Sequence, residues 1–294
     1  MNKYNIYDNN QLLLASVPNT IDTANMLSTE DFGVYIDNIS TFFTTRVKAI
    51  SELFSNTSNR VDDLNIKEYN EHTKKLMKLY ITANKLSTTV KFDSIMDIQV
   101  PIMIGLSKDL VTTVGTISGL TDKLTKETIA TLSELDLASS KMLSDSNYRL
   151  ATKPHKYKKD SDELYYILNT ELSKLIDPKS LTDRKPIHEL LPNISSLPKL
   201  VQATGKLGAI TTSKNITTIK DYTNVIAERI NTLYDEFNAN DKDYSVSKVA
   251  IRDFAYKMEN TSRLITTVIS YYHLINQITD TLIHVVNTID KFKK

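Results

Sequence analysis

The chain has 294 residues, 40% of them apolar and 24% charged, with a formal net charge of +1. That composition fits a folded protein with a substantial core, and the near-neutral balance excludes a global pull toward DNA, RNA or anionic lipid. The lack of cysteine excludes disulfides, thiolate nucleophiles and cysteine-ligated zinc, and six glycines leave little room for glycine-rich phosphate loops.

Residues 1–27, with Pro18 and several Asn and Asp residues, read as an irregular N-terminal arm. Their short apolar run, Leu12-Leu13-Leu14-Ala15, is a poor secretory signal. No later segment approaches 18 uninterrupted apolar residues, so no membrane association is expected. The expected compartment is reducing cytoplasm, or a particle such as a virion assembled there.

Residues 28–150 read as an N-terminal helical bundle region. Ser28-Thr29-Glu30-Asp31 resembles a capping box, and it opens onto a stripe of Phe32, Ile36, Ile39, Phe43, Val47, Ile50 and Phe54. A turn is expected from Asn56 to Asn59, followed by a second helical face through Val61, Leu64, Tyr69, Leu76, Leu79, Tyr80, Ala83 and Leu86. Asp62 and Asp63 then fall in a first helical turn, where acidic groups suit the helix dipole. Helical character weakens through the β-branched run after Thr88, and Pro101 marks a boundary. Beyond it Leu106, Leu110, Val114, Ile117, Leu124, Thr128, Leu132 and Leu135 predict a long helix. Gly115 and Gly119 inside that helix have the spacing of a hinge or a close helix contact, with simple surface tolerance the equal alternative.

Residues 151–210 read as a basic and proline-rich connector with a short helix from Asp160 to Ile176, stopped by Asp177-Pro178. Pro186, Pro192 and Pro198 predict only short helices or turns through Leu200. Gly205-Lys206-Leu207-Gly208 lacks the full phosphate-loop arrangement and reads as a turn.

Residues 211–294 form a C-terminal long-helix region expected to pack on the N-terminal region. One helix runs from Ile216 to Phe237, and a last one continues unbroken from Val249 to Phe292. In the latter, Leu264, Val268, Tyr271, Ile275, Ile278, Leu282, Val285, Ile289 and Phe292 recur at alternating steps of four and three. Such spacing stacks them into one coiled-coil-like seam about 43 Å long. A parallel track through Ile265, Tyr272 and Val286 broadens the face to that of a bundle helix. The fold class expected is therefore all-α: an elongated multi-helix bundle of long amphipathic helices with a proline-rich irregular middle.

Chemical signals are sparse. The five histidines, His72, His155, His188, His273 and His284, form no His-Glu-x-x-His motif. His273 and His284 stand about 16 Å apart along one helix, too far to share a metal. Each reads as a structural or surface histidine. Glu171 with Lys174 and Asp253 with Lys257 read as helical surface pairs, as does Glu163 with Lys159. Glu134 with Asp136 could do chemistry only if other elements converged on them. No catalytic residue, cofactor or metal is expected. One polar run stands out: Arg149, Lys153, Lys156, Lys158 and Lys159, interleaved with Tyr157, with no acid until Asp160. Its lysines could neutralise phosphates while Tyr157 stacks on a base, giving a weak nucleic-acid or anion contact.

The leading functional expectation is a non-enzymatic structural or assembly protein that packs through its helices with itself or another helical protein. Usage rich in Ile, Asn, Lys, Thr and Tyr suggests a phage or virus particle as the setting. The alternative is a nucleic-acid-binding accessory protein using residues 149–159.

Overall fold

The computed structural model describes residues 34–144, 170–171, 173–175, 184–212, 214–239 and 248–292. The N-terminal arm, the expected capping box Ser28–Asp31, the whole basic run 149–159, residues 160–169, 172 and 176 of the expected Asp160–Ile176 helix and its Asp177-Pro178 stop lie outside the described residues. Of the described residues 86% are helical, against a base rate of about 30–35%. The protein is all-α. The bounded α-helices among the described residues are, in chain order, α1 (Val34–Asp62), α2 (Ile66–Lys78), α3 (Tyr80–Thr89), α4 (Leu110–Ser144), α5 (Ile187–Leu190), α6 (Leu197–Thr212), α7 (Lys214–Ala239) and α8 (Lys248–Phe292).

Two compact units emerge, interleaved along the chain. Of the described residues, one unit takes 34–63, 127–144, 218–239 and 248–266, and the other takes the remainder. The regions 28–150 and 211–294 thus each contribute to both units.

In the first unit α1 runs straight through Asn56 to Asn59, where a turn was expected. The polar residues there serve a helix crossing. Thr57 is buried, its hydroxyl donating to Leu53 O at 2.8 Å and lying 2.7 Å from the Ser262 hydroxyl of α8. Ser58 donates to Asn224 Oδ1 of α7 at 2.5 Å. Short hydroxyl side chains let helices approach closely while satisfying their own polarity. Asp62 consequently closes α1, not a first turn, and Lys220 of α7 pairs with it at 2.8 Å. Asp136 of α4 takes Arg229 of α7 at 2.5 Å, while Lys257 lies 3.9 Å from Glu134. The two acids therefore serve separate ion pairs.

The second unit is built on α2, α3, α6 and the last part of α8. The second helical face expected from Val61 to Leu86 is divided among three helices, Val61 ending up in α1. Asn65 caps α2 by accepting from the Glu68 amide, and the chain breaks again at Leu79 before α3. The Val90 amide closes α3 on Leu86 O. A short antiparallel pair then forms, β1 (Gln99–Pro101) with β2 (Arg184–Pro186), Val100 opposite Lys185. Each strand ends in proline, which lacks the N–H needed to extend a ladder. Asp109 caps α4, accepting from the Thr112 amide at 2.9 Å and its hydroxyl at 2.7 Å.

The proline-rich stretch is more regular than expected. Regular helix resumes at Leu197 with α6, because Pro198 occupies the first turn, where its missing N–H costs nothing. Gly205 and Gly208 lie inside α6, not in a turn. Both are buried, and a Cβ on either would collide with α2, on Met77 for Gly205 and on Thr73 for Gly208. This is the close helix contact that the sequence suggested for Gly115 and Gly119. At those two positions α4 continues unbroken and a Cβ would meet nothing within 4 Å.

The seam of α8 is core. Leu264, Val268, Tyr271, Ile275, Ile278, Leu282, Val285 and Ile289 are all buried within the single chain, and only Phe292 is exposed, at 64%. Burying each such aliphatic side chain stabilises the fold by about 1.5–3 kcal/mol. This burial already uses the seam inside one chain.

Candidate functional site

A cluster of chemistry-bearing side chains lies where α2 meets α8. On α2, Glu68, Tyr69, His72 and Lys75 follow at steps of one, three and three, which keeps them on one side of the helix. On α8, Tyr272, Asn276, Asp280 and His284 recur every four residues and form a slowly turning polar stripe beside the apolar seam.

Tyr69 is the anchor. Its ring meets that of Tyr272 edge to face, with centroids 4.2 Å apart. Its hydroxyl lies 2.6 Å from His273 Nδ1 and donates to it when that imidazole carries its proton on Nε2. Burial pushes the phenols of Tyr271 and Tyr272 above their ordinary range, with Glu171 adding to the rise at Tyr271. Both phenols therefore stay neutral.

One helical turn along, His72 Nδ1 lies 3.2 Å from Asn276 Oδ1 and 3.2 Å from Asp280 Oδ1. His72 donates to both when its Nδ1 carries the proton and Asp280 is ionised. The side chains of His72 and Asp280 are 21% and 24% exposed. Burial raises the Asp280 carboxyl above the usual carboxylate range, while His72, then His284 and Lys75, pull it back and Glu68 pushes it up. Taking a carboxylate out of water is costly, and the nearby cations offset part of that cost.

This arrangement pairs and orients groups. His72 with Asp280 resembles the base and orienting acid of a hydrolase, but no serine or threonine nucleophile stands beside them in the contacts of the cluster. Among the described residues no group of three or more His, Asp or Glu side chains has the geometry to hold a metal ion.

His188, the other described histidine, donates from Nδ1 to Met96 O at 3.0 Å, with Asp97 at 3.6 Å. Its backbone amide bonds the same carbonyl, so it fastens the end of the strand pair. The structural roles read for His72, His188 and His273 match these contacts, and the Glu171–Lys174 pair forms at 2.7 Å. The expectation that residues 211–294 pack on the N-terminal region did not say that α2 and α8 would meet through these side chains. The one trace of that meeting in the sequence is the four-residue spacing of polar side chains along an otherwise apolar helix.

No protein-family model, curated protein or solved structure matches this chain. Among the described residues no helix is long and apolar enough to cross a membrane.

Proposed function

We propose that the protein is a non-enzymatic structural or assembly component that acts through helix-mediated contacts with copies of itself or another protein. The observation that carries this reading is helix length. The 35 residues of α4 and 45 of α8 far exceed the usual ~11–12. Long uninterrupted helices packed along buried seams supply span and stiffness, the properties a building element needs. A phage or virus particle is the setting this reading favours, on residue usage.

Because the α8 seam is occupied within the chain, a partner has to meet the outward faces. Ile81 in one unit and Leu137 in the other present large apolar side chains, 80% and 58% exposed. Native mass measurement of the purified chain, and of the complex recovered from its source, tests the proposal. We expect an oligomer or a stable protein complex, reduced in mass by Ile81→Glu or Leu137→Glu with the helical spectrum unchanged. A monomer at every concentration that recovers no protein partner would overturn it. Salt-dependent nucleic-acid binding, lost when Lys153, Lys156, Lys158 and Lys159 are neutralised, would replace it with the accessory-protein reading.

A further inference from the structure

We propose that copies of this chain join head to tail, the outer face of α7 on one copy docking on the outer face of α2 and α3 on the next, a contact that rests on the assembly reading and gives it a location. Each of the two faces lies within one unit. The first is basic around an apolar centre. Lys74, Lys78, Ile81 and Lys85 are exposed and follow at steps of four, three and four, the spacing that holds side chains on one side of a helix. Leu79, at the break, keeps right-handed helical backbone with φ −81° and ψ −4°, so the stripe passes from α2 into α3. Ile81 is 80% exposed, the most of any large apolar side chain among the described residues.

The second face is its counterpart in charge. Asp221, Val225, Glu228 and Thr232 of α7 are exposed and repeat the same steps of four, three and four, and Asp235 continues the stripe. Val225, 39% exposed, stands between two acids as Ile81 stands between two lysines. Among the described residues no ion pair engages Lys78, Lys85, Asp221 or Glu228. The lysines lie three residues before and four after Ile81, and the acids four before and three after Val225. Seating Ile81 against Val225 therefore brings each lysine within one residue's rise of an acid, about 1.5 Å along the axis, whichever way the two helices run. Lys74 adds positive charge at one end, and Glu71, a turn beyond it, closes the basic stripe.

An apolar centre flanked by charges is the layout of a protein interface. Opposite charges on the two faces steer encounter and reject the pairing of like faces. A net charge of +1 leaves copies of the whole chain nearly indifferent to one another, so the local faces decide. Both halves of the match belong to this chain, which makes a second copy the occupant. Because the two faces differ, each copy keeps one of either kind for a further neighbour. Such a contact closes into a ring or runs on as a filament.

The test is the solution mass of the purified full chain over a range of concentrations, with circular dichroism on the same samples. Lys78→Glu with Lys85→Glu in one chain, and Asp221→Lys with Glu228→Lys in another, should each raise the dissociation constant of self-association about ten-fold or more. Mixing the two variants in equal amounts should return assembly to within about three-fold of the unaltered chain, since each supplies the face the other lacks. Raising the salt from about 0.05 to 0.5 M should weaken association of the unaltered chain several-fold, and this reading needs no variant to fold. A mixture that stays dissociated while both variants keep their helical spectra would overturn the contact, as would association indifferent to salt. If the chain assembles and the reversed faces change nothing, the assembly reading stands and this contact falls. A purified chain that stays monomeric refutes the contact, and the assembly reading is then decided by the complex recovered from the source.

Discussion

Two pairs of glycines in this chain look alike in sequence and behave in opposite ways. Gly115 and Gly119 sit on an exposed stripe of α4 with open space where a Cβ would stand. Gly205 and Gly208 are buried in α6, pressed against Met77 and Thr73 of α2. At the first pair glycine only weakens a helix. At the second its missing side chain is what lets two helices approach. A glycine's meaning is therefore set by what faces it, and spacing along its own helix does not reveal that.

The largest effect should come from Gly208→Val. Its side chain would enter the space of Thr73, whose Cγ2 and Cβ lie 3.0 and 3.2 Å from the position of a new Cβ. Overpacking of this kind costs about 3 kcal/mol, read as a lower urea midpoint by circular dichroism. Gly208→Ala should cost less, about 1–2 kcal/mol, because better helix propensity offsets part of the collision. Combining it with Thr73→Ala should recover most of the loss. No recovery in the double variant would mean that α6 and α2 do not meet there.

The opposite sign is expected on α4. Gly115→Ala and Gly119→Ala should each stabilise by about 0.5–1 kcal/mol, since alanine is the better helix former and nothing stands in its way. A loss of stability at either position would restore the hinge or close contact that the spacing suggests. The smallest change should follow Gly205→Ala. Its obstacle is the far end of Met77, a flexible side chain 42% exposed, which can swing aside. The helix-propensity gain then roughly balances the repacking, and the urea midpoint should stay within about 0.5 kcal/mol of the unaltered chain. A cost at Gly205 as large as that at Gly208 would show that Met77 is held as firmly as Thr73.

Periodicity along the chain made the helices legible. The seam of α8 recurs at steps of four and three, and the expected unbroken run from Val249 to Phe292 lies within the observed Lys248–Phe292. Ile216, Ile219, Ile226, Ile230 and Leu233 of α7 are buried in the same way. Polar composition misled where it met packing: Thr57 and Ser58 suggested a turn and instead serve a helix crossing. Proline density misled in the same way before α6, because Pro198 falls where a helix tolerates it.

By itself, then, the sequence determined the all-α class, the positions of the long helices and the apolar face of α8. These depend on residues a few positions apart, which the 3.6-residue turn brings together without help from the rest of the chain. Only the tertiary structure decided that the seam is core within one chain, that β1 pairs with β2, and that Gly208 rather than Gly115 is a contact. It also brought His72 to Asp280 and Tyr69 to His273, more than two hundred residues apart in the chain. Such partners are chosen by which faces exclude water together, and no local pattern on either segment names the other.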